Sequence, residues 1–182
     1  MKKNLIPAIR LTLVMLILCV GIYSGIVWLI AQVTPNYGKG EMFQDKNGKT
    51  YYANIGQKFD SDMYFNSRPS AVDYNASGSG GSNKGPNNPE LLKDVQERVD
   101  LFKAKNPGEE VPVEMVTASG SGLDPDISVA AANAQINRIA RARHIMPGEL
   151  KRLVQQHTAQ GAFGPAKINV LKLNIALDGV KR

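Results

Sequence analysis

The sequence is poor in the residues from which small metal sites and disulfide frameworks are built. It has one cysteine, Cys19, and two histidines, His144 and His157, among 182 residues. A single cysteine cannot form an intramolecular disulfide, so no disulfide framework supports the fold. The two histidines fall near the ends of separate predicted helices, a spacing that does not match a set of metal ligands. The sequence therefore predicts neither a disulfide scaffold nor a metal site.

Catalytic and phosphate-binding motifs are also missing. The glycine-rich stretch 77–85 lacks the Gly-Lys-Ser/Thr of a P-loop, and no Gly-x-Ser-x-Gly nucleophile elbow occurs. Ser119, Ser121, Asp124 and Asp126 combine hydroxyls with carboxylates, but no histidine base lies beside them in the sequence. We interpret this stretch as an Asp-rich turn before a helix. An extracytoplasmic hydrolase using Ser119 or Ser121 is the alternative hypothesis.

Charge is absent from one long stretch of the chain. Between Arg10 and Lys39, 28 consecutive residues have no charged side chain. Within it, Leu11 to Ala31 is a run of 21 mostly apolar residues, which at about 1.5 Å per residue matches a hydrocarbon core of roughly 30 Å. A cleaved signal peptide would have a shorter apolar region, of about 7–15 residues, and a small-residue cleavage site. The run therefore predicts a transmembrane helix.

The flanking charges predict the orientation of this helix. Lys2, Lys3 and Arg10 precede it, whereas Lys39 is the only nearby basic residue on the other side. Because basic residues are enriched on the cytoplasmic side, the N-terminus should be cytoplasmic in a plasma (inner) membrane. This assigns residues 1–10 to a cytoplasmic tail, 11–31 to the span and 32–182 to an extracytoplasmic domain.

Two glycines, Gly21 and Gly25, form a small-xxx-small pair inside the predicted span. Such pairs allow the backbone of a second helix to approach closely, although glycine is also frequent in membrane helices for other reasons. The pair is a candidate for packing against a membrane helix of a partner, and chance is the alternative.

The remainder of the chain has nearly balanced charge. After residue 38 it contains 19 basic and 16 acidic residues in 144 positions. This balance argues against a nucleic-acid-binding domain, and the length suits one domain with its own core. The expected fold class is α/β, in its α+β form, for this single domain.

Turn residues and hydrophobic spacing predict the elements of this domain. We expect a hairpin over 37–52 that turns at 45–48, and we expect residues 64–89 to be a flexible linker because of their Ser, Gly and Asn content. Two Ser/Gly-rich loops are expected at 74–88 and 117–126. The predicted regular elements are a helix from Asn88 and Pro89 to about Lys105, a strand over 111–115, a helix from Ser128 to about His144, a helix from Pro147 that closes near Gly161, and a strand over 168–177.

Several blocks in this domain resemble one known family. The blocks are YFNSRPSA (64–71), YNASGSGGSNKGPNN (74–88), VTASGSGLDPDIS (116–128), AAANAQINRIARAR (130–143) and INVLKLNIAL (168–177). In this order, behind a single N-terminal span, they closely resemble the C subunit (KdpC) of the Kdp potassium-transporting P-type ATPase. At Asp126 the sequence departs from the family pattern, where histidine is common.

The resemblance implies a non-catalytic accessory subunit of a high-affinity potassium uptake pump. Its implied partners are a channel-like subunit that selects potassium and a P-type subunit that hydrolyses ATP. The family is described as a catalytic chaperone that raises the ATP affinity of the hydrolytic subunit, so ATP is implied by the resemblance alone. Four residues are candidates for holding the polar loops together or for contacting a partner: Arg68, Asn75, Ser119 and Asp124. Of these two roles, internal hydrogen bonding that holds the loops together is favoured.

Overall fold

The computed structural model describes residues 2–161 and 164–180, and the chain divides into two units, 1–41 and 42–182. The first unit is dominated by one helical rod. It consists of α1 (Lys2–Leu16), a π-helical stretch (Ile17–Tyr23) and α2 (Ser24–Val33). The stretch Lys3–Val33 is long and apolar enough to cross a membrane. It contains the predicted span and continues beyond it on both sides.

The second unit mixes helices with two small antiparallel sheets, which confirms the α+β form of the predicted fold. The first sheet is the predicted hairpin over part of its length, with β1 at Met42–Gln44 and β2 at Thr50–Tyr52. It begins later than predicted, because Pro35–Gly38 forms a turn of 3-10 helix. Asp45 closes its turn, because one carboxylate oxygen accepts hydrogen bonds from the backbone N–H groups of Asn47 and Lys49 at 2.8 and 2.9 Å.

The second sheet has three strands in the order β3-β5-β4, all antiparallel. Its strands are β3 (Asp126–Ser128), β4 (Thr158–Ala159) and β5 (Lys167–Asn169). The helices of this unit are α3 (Pro89–Lys105), α4 (Val129–Asn133), α5 (Ile136–Arg143), α6 (Pro147–Gln156) and α7 (Val170–Leu177). The largest fully buried apolar side chains, which mark the centre of the core, are Phe65, Ile136, Ile139, Leu150, Ile168, Leu173 and Leu177.

Capping residues explain why several helices begin where the sequence predicts. The Asn88 side chain accepts a hydrogen bond from the Glu90 backbone N–H, and the Ser128 hydroxyl accepts one from the Ala131 backbone N–H. Proline stands at the first position of both α3 and α6, where its missing N–H costs nothing.

The predicted strand over 168–177 is wrong beyond its first residues. Strand β5 ends at Asn169, whose side chain accepts a hydrogen bond from the Lys172 backbone N–H at 3.0 Å and so caps α7. The buried positions of α7 are Val170, Leu171, Leu173, Asn174 and Leu177. This spacing of one, three, four and seven is helical, and it also produces the alternation that suggested a strand.

Three smaller predictions are also corrected. Residues Val113–Met115 form a turn of 3-10 helix instead of a strand, with the Met115 N–H bonded to the Pro112 carbonyl. The predicted helix from Ser128 is broken into α4 and α5, where the backbone N–H of Gln135 bonds to the carbonyl of Ala132, only three residues back. The third helix ends at Gln156 rather than near Gly161, because Thr158 and Ala159 pair with β5.

Residues 64–89 are not the flexible linker that their composition suggested. Phe65 is completely buried, and Ser67 is 6% exposed. The backbone N–H groups of Phe65 and Asn66 donate hydrogen bonds to the side chains of Asn174 and Gln135. Composition is misleading here because the partners that order this segment lie far away in the sequence.

Candidate functional site

Arg68 and Asp124 join segment 64–71 to the second Ser/Gly loop. Nη1 of Arg68 lies 2.8 Å from Oδ2 of Asp124, with 25% and 31% of the two side chains exposed. The other carboxylate oxygen accepts a hydrogen bond from the Asp126 backbone N–H at 3.0 Å. Because solvent partly reaches the pair, it contributes about 1 kcal/mol or less to stability. Its main effect is to fix the position of the loop.

The two Ser/Gly loops also contact each other through their backbones. The Ser121 carbonyl accepts hydrogen bonds from the Gly80 N–H at 2.8 Å and the Ser79 hydroxyl at 3.0 Å. Ser119 is 3% exposed, and its N–H donates to the Pro69 carbonyl at 3.2 Å. Hydrogen bonds therefore join the loops 74–88 and 117–126 to each other, and the second loop to segment 64–71.

Asn75 is the one loop candidate that does not join this contact. Its side-chain oxygen accepts hydrogen bonds from the backbone N–H and the hydroxyl of Ser77, at 3.1 and 2.7 Å. Asn75 therefore shapes its own turn and remains exposed. The structure thus places Arg68, Ser119 and Asp124 in one network, and Asn75 at its edge.

Tyr74 anchors the start of the first loop to segment 64–71. Its hydroxyl donates a hydrogen bond of 2.6 Å to the Arg68 carbonyl. Burial, with smaller effects of the Asp60 and Asp73 carboxylates, raises the pKa of Tyr74 to about 12. The hydroxyl consequently stays protonated, and stays a donor, at any physiological pH.

Gly122 in the second loop lies very close to a neighbouring side chain and backbone, which explains why this position is glycine and suggests a mutational test. Gly122 has φ +68, and a Cβ there would lie 2.6 Å from Val72 Cγ2 and 2.8 Å from the Gly80 carbonyl oxygen. Gly122→Ala should therefore lower the free energy of unfolding by about 1–3 kcal/mol. Urea unfolding of the full chain in mild detergent measures this. The matched control is Gly120→Ala, where a Cβ meets nothing within 4 Å; equal effects of the two variants would contradict the prediction.

The side chains that hold segment 61–66 were not among the residues predicted from the sequence. The Asn174 side chain accepts a hydrogen bond from the Phe65 N–H and donates one to the Phe65 carbonyl, both at 2.9 Å. The Gln135 side chain accepts a hydrogen bond from the Asn66 N–H at 2.7 Å and donates one to the Asn66 carbonyl at 3.4 Å. The two amides thus satisfy backbone donors and acceptors of Phe65 and Asn66, which belong to no strand.

Two buried arginines complete this arrangement. The guanidinium of Arg138 donates to the carbonyls of Ser61 and Tyr64 and to side-chain oxygens of Asn66, Asn106 and Gln135. Burial lowers the pKa of Arg138, and the Asp62 carboxylate, 3.7 Å away, opposes that shift.

Arg143 binds the backbone of the same segment at Met63. It donates to the Met63 carbonyl at 2.6 Å and pairs with Asp178 at 2.7 Å. Arg138 and Asn174 lie among buried apolar residues of α5 and α7, and Gln135 lies in the buried turn between α4 and α5. A polar residue inside such an apolar run was the signal that could have identified them.

The serines proposed for the hydrolase alternative are used structurally. Ser119 is buried, and the Ser121 hydroxyl accepts a hydrogen bond from the Leu123 N–H at 3.1 Å. His157 is hydrogen-bonded through Nδ1 to the Leu153 carbonyl at 2.9 Å, and His144 is the left-handed residue that ends α5. Among the described residues, neither serine is bonded to a histidine, so the geometry does not favour a hydrolase.

The Ser/Gly tract 77–85 does not have the setting of a nucleotide-binding loop. It runs from a turn to the start of α3, without the preceding strand that a P-loop requires. Its one lysine, Lys84, pairs with Asp94 at 3.0 Å and Glu90 at 3.4 Å. The residues of this tract therefore do not fit the phosphates of ATP in the manner of a P-loop.

The described residues include one apolar helix long enough to cross a membrane and an α+β unit whose polar side chains mostly fix its own loops, an arrangement that fits a membrane-associated protein. The comparisons with known proteins identify the family. The family model for the K+-transporting ATPase c chain, KdpC, matches residues 5–179. The chain belongs to this family, and it is an accessory subunit of the potassium-transporting ATPase rather than its catalytic subunit.

Curated relatives support the same assignment over the whole length. The potassium-transporting ATPase KdpC subunit of Flavobacterium johnsoniae is 49% identical, covering 98% of this chain and 100% of its own. That of Flavobacterium psychrophilum is 46% identical with the same coverage. The subunit of Bacteroides thetaiotaomicron is 45% identical, covering 97% of this chain and 98% of its own.

Proposed function

We propose that the domain 42–182 lies on the extracytoplasmic side of the plasma (inner) membrane and packs against the channel-like subunit, near the entrance for potassium. There it would stabilise the assembly of that subunit with the P-type subunit that hydrolyses ATP. One observation carries this proposal: Lys2, Lys3 and Arg10 precede 28 uncharged residues, which favours a cytoplasmic N-terminus.

The bonded loops supply a surface suited to such packing. Arg68, Ser119 and Asp124 hold the two Ser/Gly loops in place, and Asn75 fixes the turn of the first. A surface ordered before association loses less conformational entropy on binding than flexible loops would. We therefore assign these four residues to the shape of a contact surface.

The proposed location has a consequence for the catalytic-chaperone activity that the family resemblance implies. ATP is cytoplasmic, so an extracytoplasmic domain would raise the ATP affinity of the hydrolytic subunit through subunit packing, as a coupling free energy. Direct binding of ATP to the isolated full chain, measured by calorimetry, would contradict this mechanism.

Cysteine labelling in intact cells tests the location. With Cys19 replaced by alanine, a single cysteine at Glu97, an exposed position on α3, should react with a thiol reagent that does not cross the inner membrane. A second variant with the only cysteine at Lys3 is the matched control, and it should react only after the inner membrane is broken. The reverse pattern would overturn the proposed orientation.

We also propose that Gly21 and Gly25 pack against a membrane helix of a partner subunit. A Cβ at either position meets nothing within 4 Å in this chain, so both sites are open to another helix. Gly21→Leu should lower the amount of the two larger subunits that co-purifies in mild detergent. Ile22→Leu, which leaves the glycine pair intact, should not.

A further inference from the structure

The hairpin of β1 and β2 has two different faces. Phe43 and Tyr51 are paired across the two strands and are half-buried, and the Lys172 ammonium lies 4.5 Å from the centre of the Phe43 ring. Because side chains alternate along a strand, the neighbouring positions point to the opposite side. One face of the hairpin is therefore turned toward α7, and the other face is turned away from it.

The outward face has an apolar pair at its base. Met42 and Tyr52 are directly opposite each other in the register, and they are 41% and 51% exposed. Among the described residues, the Tyr52 hydroxyl has no hydrogen-bond partner. The next pair on this face, Gln44 and Thr50, is polar and is joined by a hydrogen bond of 3.5 Å. The outward face is thus apolar where the chain enters the hairpin and polar toward the turn.

The apolar pair lies at the end of the hairpin that is closest along the chain to the apolar helix. Only residues 34–41 separate the end of α2 at Val33 from the start of β1 at Met42. Part of this link, Pro35–Gly38, is a turn of 3-10 helix, so the link reaches at most about 25 Å. The base of the hairpin is therefore tethered near the surface of any membrane that the helix crosses.

The size and composition of the pair suit a lipid–water interface better than a protein partner. A stable protein contact buries about 800 Å² on each side, which two partly exposed side chains on a narrow hairpin do not supply. Tyrosine is enriched at membrane interfaces, because its ring is apolar and its hydroxyl can remain in contact with water. Tyr52 offers such a ring and such a free hydroxyl.

The charges near the pair do not oppose contact with lipid headgroups. Residues 34–52 contain three basic and two acidic residues. One of the acidic residues, Asp45, lies in the turn and accepts hydrogen bonds from the backbone N–H groups of Asn47 and Lys49. A surface of this small net positive charge is not repelled by anionic headgroups.

We propose that the outward face of the hairpin lies in the lipid–water interface, with Met42 and Tyr52 inserted at the level of the headgroups. The short tether gives the hairpin a high effective concentration at the membrane, so a small apolar contact is sufficient. Since Phe43 on the other face contacts Lys172 of α7, the membrane surface supports the domain at a second point besides the helix. This proposal rests on the helix crossing the membrane, as the proposed function does, and not on the side on which the domain lies.

Tryptophan fluorescence of the full chain in vesicles of phosphatidylethanolamine and phosphatidylglycerol tests this contact. Trp28, the only tryptophan, is replaced by phenylalanine, and Tyr52→Trp then supplies a single reporter. Lipids brominated near the headgroup end of their chains should quench about half of its emission or more. Leu92→Trp in the same background is the matched control, because Leu92 is 57% exposed on α3. The control should be quenched little by these lipids and more strongly than Tyr52→Trp by acrylamide in the water.

The unaltered chain separates this proposal from the proposed function. Trp28 lies in the apolar helix, so brominated lipids should quench it as well. Absence of that quenching would contradict the membrane helix and the proposed function with it. Quenching of Trp28 together with equal responses of Tyr52→Trp and Leu92→Trp would overturn the interfacial contact alone. Shielding of the Tyr52→Trp reporter only in the assembled pump would also overturn it, because a protein subunit would then cover this face.

Discussion

Replacing Asn174 by alanine should lower the free energy of unfolding by about 2–6 kcal/mol. The Asn174 amide is the partner of both the N–H and the carbonyl of Phe65, and Phe65 is completely inaccessible to water. Each buried backbone group left without a partner costs about 1–3 kcal/mol. Urea unfolding of the full chain in mild detergent measures the loss, and amide hydrogen exchange at Phe65 should become faster.

Two companion variants separate the hydrogen bonds from simple loss of volume. Asn174→Leu keeps most of the volume but neither bond, so it should be destabilised nearly as much as the alanine variant. Asn137→Ala removes an exposed asparagine whose amide bonds to Glu109, and it should change stability by less than about 0.5 kcal/mol. If Asn174→Leu were as stable as the wild type, the amide would not be the cause.

Replacing Arg138 by methionine should have a comparable effect, of about 3–5 kcal/mol. Methionine fills much of the space of the arginine stem, but it removes the donor to the Ser61 and Tyr64 carbonyls and to the side-chain oxygens of Asn66 and Asn106. The Gln135 oxygen loses one of its two donors and keeps the Asn66 N–H. Thermal and urea unfolding of the full chain measure the change. Segment 61–66 should also become sensitive to proteases, because its main clamp is gone.

The matched control for this variant is Arg141→Met on the same helix. Arg141 is exposed, and so its replacement should be close to neutral. Arg138→Lys should recover part of the stability, because an ammonium group reaches fewer acceptors than the planar guanidinium does. Equal stabilities of Arg138→Met and Arg141→Met would show that the buried network contributes little.

The sequence predicted those elements whose conformation is determined by residues close together in the chain. The uncharged run predicted the long helix, Asn88 and Ser128 predicted two helix starts, and the Asp45 turn predicted the hairpin. Each of these structures is specified by residues within a few positions of one another. The resemblance of the Ser/Gly blocks to a known family supplied the function, which composition alone did not.

The order of segment 64–89 and the helix α7 depend on distant partners, and the sequence could not place them. Phe65 and Asn174 are 109 positions apart, and Asn66 and Gln135 are 69 apart. Nothing near Phe65 indicates that an amide will reach its backbone. In α7, Leu171, Leu173 and Leu177 fit the alternation of a strand, whereas Val170, Leu173 and Leu177 fit one face of a helix. The Asn169 cap favours the helix. For the same reason Gln135, Arg138 and Asn174 were not among the predicted site residues.

The dependence of Phe65 on Asn174 sets the order in which this domain can mature during its synthesis. The ribosome makes Phe65 long before α7, so the backbone of segment 61–66 has no permanent partner until almost the whole chain has been delivered. The contact between Phe65 and Asn174 closes a long loop of the chain. This contact fixes the segment and the adjacent Arg68, which is paired with Asp124. A chain that stops before α7 lacks Asn174, so we expect the backbone of Phe65 to be left without this partner and the loops bonded to the segment to be less ordered.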